Sequence, residues 1–171
     1  MNLKPLAPAI LAAVGALAST HAGASTNMFD PSVASTTKID GSEIVLNGTL
    51  HDTNGLTMPW TTSVYAQPGE CMRLFVDSVN FDPKLTVIAP NGEVFRDDDS
   101  GGSLRPLVKI ASTPVQGWYT VQVAQFAGAP QADTDFVLKY GRFTAGNPNC
   151  ANPTVPLVNA GGAPQAAKPA P

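Results

Sequence analysis

Histidine is almost missing from this chain: there are two, His21 and His51, and only His51 lies in the body of the sequence. A zinc centre takes three or four His, Cys or carboxylate ligands in a fixed geometry. One imidazole beside two cysteines does not supply that set. His51-Asp52 with Ser63 or Ser78 would be the only route to a catalytic triad. No GxSxG nucleophile elbow accompanies them, and successive residues at a strand end point apart. Basic charge is also sparse. The ten Lys and Arg residues are scattered and the net charge is −3, which argues against nucleic acid, since phosphate binding needs a basic surface. Beyond the first residues no apolar run approaches the roughly 20 residues of a membrane-spanning helix. The Asp/Asn spacing and distal Glu of an EF-hand are absent too.

Both termini have distinctive compositions. Residues 1–24 read as a secretory signal: Lys4 forms the positive region, 10–18 (ILAAVGALA) the short apolar core, and Ala22-Gly23-Ala24 the small-x-small cleavage site. A mature start near Ser25 is expected, which makes the protein secreted or periplasmic, with residues 25–41 as an N-terminal extension. From residue 146 the chain turns Pro-, Ala- and Gly-rich. Such composition buries too little apolar surface to offset its ordering entropy, so residues 146–171 are expected to form a tail that is disordered beyond Cys150.

Export gives the two cysteines a meaning. In an oxidising compartment Cys71 and Cys150 are most simply one disulfide. It would close a loop of about 80 residues, for which chain entropy assigns roughly 4–5 kcal/mol, and it would tie the start of the tail to the domain.

Residues 42–145 are almost wholly β-patterned. The segments 43–50, 61–67, 71–78, 84–89, 93–96, 107–111, 118–125 and 135–143 alternate apolar and polar residues, separated by Gly and Pro turns such as Pro68-Gly69-Glu70 and Pro90-Asn91-Gly92. Period-2 patterning at this spacing predicts an all-β domain, an antiparallel two-sheet β-sandwich of about eight strands arranged like a jelly roll. The alternation assigns Leu74, Leu85, Val87, Val121, Val123, Phe136 and Leu138 to one core between the sheets.

Four fragments, in order, carry a family resemblance: Asn47-Gly48-Thr49-Leu50; Val64-Tyr65-Ala66-Gln67-Pro68-Gly69; Phe81-Asp82-Pro83-Lys84-Leu85 through Asn91-Gly92 to Asp97-Asp98; and Gly117-Trp118-Tyr119-Thr120-Val121-Gln122-Val123. Together they resemble the bacterial pre-peptidase C-terminal domains, β-sandwich modules usually attached to exported enzymes. The resemblance spans about Ser42 to Phe143. It implies a non-catalytic module that binds or stabilises an extracytoplasmic protein or polysaccharide. The cysteine pair, the proline-rich tail and the absence of a catalytic domain in this sequence depart from the family pattern.

Two sets of side chains are candidates for binding. Asp97, Asp98 and Asp99 follow a hairpin directly, and three carboxylates in a row must be solvated, paired or bound to a cation. With Asp82 from the preceding loop, placed beside them by the resemblance, they form a candidate Ca²⁺ site, since Ca²⁺ takes six to eight oxygen ligands. The plain alternative is a solvated acidic turn with Ser100-Gly101-Gly102 as flexible filler. Trp60 and Trp118 are candidates for stacking on a sugar ring or peptide; filling a core edge is the competing role. A function of another class is also open: a small secreted hydrolase using carboxylates in a sandwich cleft, which buried carboxylates with strongly shifted pKa values would favour.

Overall fold

A computed structural model describes residues 39–53, 56–77, 80–126 and 133–158. The expected signal segment 1–24, the extension up to residue 38 and the tail from residue 159 lie outside the described residues.

The period-2 segments form strands close to the expected bounds. They are β1 (Ile44–Leu50), β4 (Trp60–Ala66), β5 (Cys71–Asp77), β6 (Pro83–Ile88), β7 (Val94–Asp97), β8 (Leu107–Ile110), β9 (Gly117–Gln125) and β10 (Thr134–Phe143). Between β1 and β4 lie two short strands not anticipated from the pattern, β2 (Asp52–Thr53) and β3 (Leu56–Thr57), too brief to show a period. A 3₁₀ turn spans Pro148–Cys150.

Two four-stranded antiparallel sheets result, with orders β1-β10-β5-β8 and β4-β9-β6-β7. The chain doubles back at β6–β7, and each earlier strand pairs with a later one: β5 with β8, β4 with β9, β1 with β10. The pairs β10–β5 and β9–β6 then join these hairpins into sheets. That is the wrapping of a jelly roll.

The seven residues assigned to the core are all buried, none more than 3% exposed. They pack with Leu50, Val64, Met72, Val76, Val108, Tyr119 and Tyr140 into one cluster between the sheets. Gly48, within the first resemblance fragment, has a packing reason. It stands opposite Phe136 in register, and an added Cβ would sit 2.3 Å from that ring's Cζ. Phe136 in turn meets Trp60 edge-on at 5.2 Å and Phe81 at 6.3 Å, so three aromatics close one end of the sandwich.

The tail corrects the sequence reading. Disorder was expected beyond Cys150, but the chain is placed through Val158. Past Cys150 it runs along the edge of β8, where Thr154 N–H donates to Lys109 O at 2.9 Å and Lys109 N–H donates to Thr154 Oγ1 at 3.1 Å. It then reaches the edge of β7, where Val94 and Val158 form an antiparallel bridge and Leu157 N–H donates to Val94 O at 2.7 Å. Composition argued for disorder because this strap has few apolar side chains to bury. Its order comes from hydrogen bonds to two sheet edges, mostly backbone to backbone, with the Thr154 hydroxyl as the side-chain contributor.

Candidate functional site

The loops at the aromatic end of the sandwich bring the acidic residues together. β7 ends at Asp97, whose side chain organises the following loop: Oδ2 accepts from Ser100 N–H at 2.9 Å and from Leu107 N–H at 2.8 Å, and Oδ1 accepts from Ser100 Oγ at 2.5 Å. Gly101 N–H donates to Arg105 O at 2.8 Å and Gly102 N–H to Asp99 O at 2.9 Å. Gly101 also lies against the Phe75 ring so closely that a Cβ would come within 2.6 Å of it. The Ser-Gly-Gly stretch is therefore a built loop rather than flexible filler.

Of the expected calcium quartet, Asp97 is thus the one whose oxygens accept from backbone and Ser100 donors. Asp82, Asp98 and Asp99 remain neighbours. Partial burial raises the Asp82 pKa above the ordinary carboxylate value, and the charges of Asp99 and then Asp98 raise it further. Among the described residues, Asp82 Oδ1 and Gln125 Oε1 are buried without a hydrogen-bond partner. Among the same residues, no group of three or more His, Cys, Asp and Glu side chains is arranged to hold a metal.

The two tryptophans separate by strand parity. Trp60 pairs with Val123, an inward position, and packs on the core through Phe136. Its core-edge role accounts for its placement. Trp118 pairs with Tyr65 on the outer face of the β4-β9-β6-β7 sheet, and the two rings meet edge-to-face at 5.5 Å and 69°. The Tyr65 phenol oxygen accepts from the side-chain amides of Gln116 at 2.5 Å and Gln67 at 3.2 Å.

Cys71 and Cys150 are joined, with Cα atoms 6.0 Å apart, and Phe143 packs on the bond. His51 lies exposed at a loop, its Nδ1 3.0 Å from Asp133 Oδ2.

A polar network at the opposite end was not anticipated. Arg142, buried on β10, grips Glu70, the residue before β5; Gln67 N–H donates to Glu70 Oε2 at 3.0 Å. Thr113 Oγ accepts from Glu70 N–H at 3.0 Å and donates to Gln67 O. Hydrogen bonding to Glu70 raises the Arg142 pKa further, against a lesser opposing effect of burial. The one sequence signal was a basic residue at an inward-parity position of a core strand, which does not say where its partner lies.

The architecture is that of an antiparallel jelly-roll sandwich with an acidic loop rim at one end and an aromatic-bearing sheet face. No family model matches the chain, and no curated relative matches it, so the likeness to pre-peptidase C-terminal domains rests on the four fragments quoted above. Among solved structures, the chain is similar to the crystal structure of Aeromonas hydrophila PliG, a periplasmic lysozyme inhibitor of g-type lysozyme. The TM-score is 0.46 at 19% identity, over 59% of this chain and 86% of that one. At that level the likeness carries no argument about this chain.

Proposed function

We propose that the chain is an exported, non-catalytic β-sandwich module that binds a protein or polysaccharide outside the cytoplasm. The observation that carries this reading is the disposition of its carboxylates. Hydrolysis by a carboxylate pair requires two such groups in a cleft with their pKa values pushed apart. Glu70 is buried but held by Arg142, and Asp97 is bound into its own loop. Asp82, with its raised pKa, sits at a loop rim beside Asp98 and Asp99. Carboxylates gathered at a rim favour a module over a hydrolase.

Export is supported by the disulfide, which takes up both cysteines of the chain, because such bonds persist in oxidising compartments.

The test is an assay of the purified protein against peptide, ester and glycoside substrates, beside expression with its own N-terminus in a bacterial host. The expected result is no turnover, with the oxidised protein found outside the cytoplasm and beginning near Ser25. Turnover abolished by Asp82→Asn would establish the hydrolase instead.

Calcium at Asp82, Asp97, Asp98 and Asp99 belongs to the proposal as the sequence reading assigned it, the loop having to draw these carboxylates together around the ion. The observation favouring it is Asp82, whose Oδ1 is buried without a hydrogen-bond partner and whose pKa is raised by the nearby charges of Asp99 and Asp98. Melting curves in Ca²⁺ and in EGTA test it.

A further inference from the structure

The four edge strands of the sandwich are guarded on one side and bare on the other. The strap bonds to β8 and to β7, so those two edges lie together, and β1 and β4 stand at the opposite side. β7 and β8 are four residues long and carry Arg96, Asp97 and Lys109. β1 (IVLNGTL) and β4 (WTTSVYA) are seven residues each, with no charged residue and no proline. Charge, proline and brevity are the usual guards of an exposed edge, and these two strands have none of them. One β4 carbonyl is taken, since the Tyr140 hydroxyl crosses from the other sheet to donate to Tyr65 O. Among the described residues, β1 has no backbone partner other than β10.

The first half of β1 is also where the core is unfinished. Its inward side chains Ile44 and Leu46 pack on the core but are only partly buried, whereas Gly48 and Leu50 further along are buried. Between them Val45 points outward and is 55% exposed. We infer that the β1 edge is an interface at which two copies of this chain join, antiparallel and about a two-fold axis at Val45, continuing one sheet through both molecules.

A bare strand edge offers N–H and C=O groups at a fixed repeat, so what fits it is another extended backbone. The side chains decide which backbone. A two-fold axis sets residues at its centre against their own copies, so a charged edge repels itself and an uncharged one does not. With Val45 opposite the partner's Val45, Ile44 falls opposite Leu46 and Glu43 opposite Asn47. Inward apolar residues then meet inward apolar residues and complete the core beside Ile44 and Leu46, and no like charges face each other. A shift of one residue would set inward side chains against outward ones. Each copy spends its β1 edge in the pairing, so assembly closes at two and builds no filament. Seven residues of strand span about 23 Å, a small contact beside the roughly 800 Å² that each partner buries in a standard interface. The dimer should therefore form reversibly with concentration.

The experiment is sedimentation equilibrium of the whole purified, oxidised protein from micromolar to millimolar concentration. A monomer–dimer equilibrium is expected, with no larger species. Val45→Lys and Val45→Glu should each lose the dimer, since each sets like charges across the axis. The melting curves of dilute protein should not change, because the side chain is exposed in the monomer. Mixed one to one, the two variants should recover the dimer through opposite charges. Val155→Lys, at a comparably exposed position on the strap, should dimerise as wild type does. Hydrogen exchange adds a second readout: the β1 amides turned away from β10 should gain protection as concentration rises. A monomer throughout, a dimer indifferent to both Val45 variants, or a mixture that stays monomeric would each overturn the interface. Protection of those β1 amides at every concentration would overturn it too, in favour of the chain's own residues 25–38 as the occupant.

Discussion

Arg142 holds Glu70 through two parallel hydrogen bonds, Nε–H to Oε2 at 2.8 Å and Nη2–H to Oε1 at 2.6 Å, between side chains only 8% and 7% exposed. A buried pair of this kind is costly to break from one side, because the partner left behind is an unpaired charge. Arg142→Met alone should therefore destabilise the protein by about 3–5 kcal/mol in urea unfolding, and Glu70→Leu similarly. The double variant should recover most of that loss. If the two single losses simply add, the pair does not act as a unit.

Opening the Cys71–Cys150 bond should act on the strap more than on the core. Chain entropy assigns a loop of this length roughly 4–5 kcal/mol, an upper figure for the loss on changing both cysteines to Ala. Hydrogen exchange should locate the effect. The amides of Val94, Lys109, Thr154 and Leu157, which bond strap to edge, should lose protection, while those of β5 and β10 keep theirs. Unchanged protection of these amides would show that the strap holds without its anchor.

Asp82 should leave a mark on the pH dependence of stability. Its folded pKa lies above the unfolded value of 3.8. Between those two values the native state binds more protons than the unfolded chain, so stability falls as pH rises through that window. At neutral pH the charged side chain is a liability, and Asp82→Asn should stabilise the protein by less than about 1 kcal/mol, since the group is partly solvated. The gain should vanish below pH 3.8, where the carboxyl is protonated in both states. Calcium should substitute for the mutation: wild-type melting should rise in millimolar Ca²⁺, by about 2.7 kcal/mol of stabilisation at a hundred times Kd. Asp82→Asn should blunt that response, and identical wild-type curves in Ca²⁺ and EGTA would remove the metal.

The core makes a contrasting pair of predictions. Leu138→Ala should cost about 2–5 kcal/mol as a cavity in a fully packed cluster. Gly48→Ala should cost about 1–3 kcal/mol for the opposite reason, since its methyl would displace Phe136 and, through it, Trp60. Near-UV circular dichroism should register the second change through the Trp60–Phe136 contact and the first much less.

Strand positions and inward faces were legible because a buried face imposes a two-residue period that survives in the order of residues alone. Leu85, Val87, Val121 and Val123 needed no other information, and the same parity separated Trp118 from Tyr119. The Cys71–Cys150 pairing was legible because two cysteines leave a single intramolecular choice. What escaped reading was set by distance or by backbone. Glu70 and Arg142 lie 72 residues apart, and neither residue alone signals a partner. That the Asp97 oxygens would cap a loop depended on where Ser100 and Leu107 present their N–H groups. The strap was hidden for a related reason: residues 151–158 are held mainly by main-chain bonds and the Thr154 hydroxyl, and composition weighs only apolar burial.

The strap also gives oxidation a bearing on how copies of this protein treat one another. It lies on one outer edge of each sheet, at β8 and at β7. Bare strand edges are templates for pairing with any other chain. A copy folded under reducing conditions lacks the anchor of that strap and presents two such edges together on one side of the sandwich. Closing the bond seals both. Concentrated stocks should therefore stay clear when oxidised and turn cloudier on reduction.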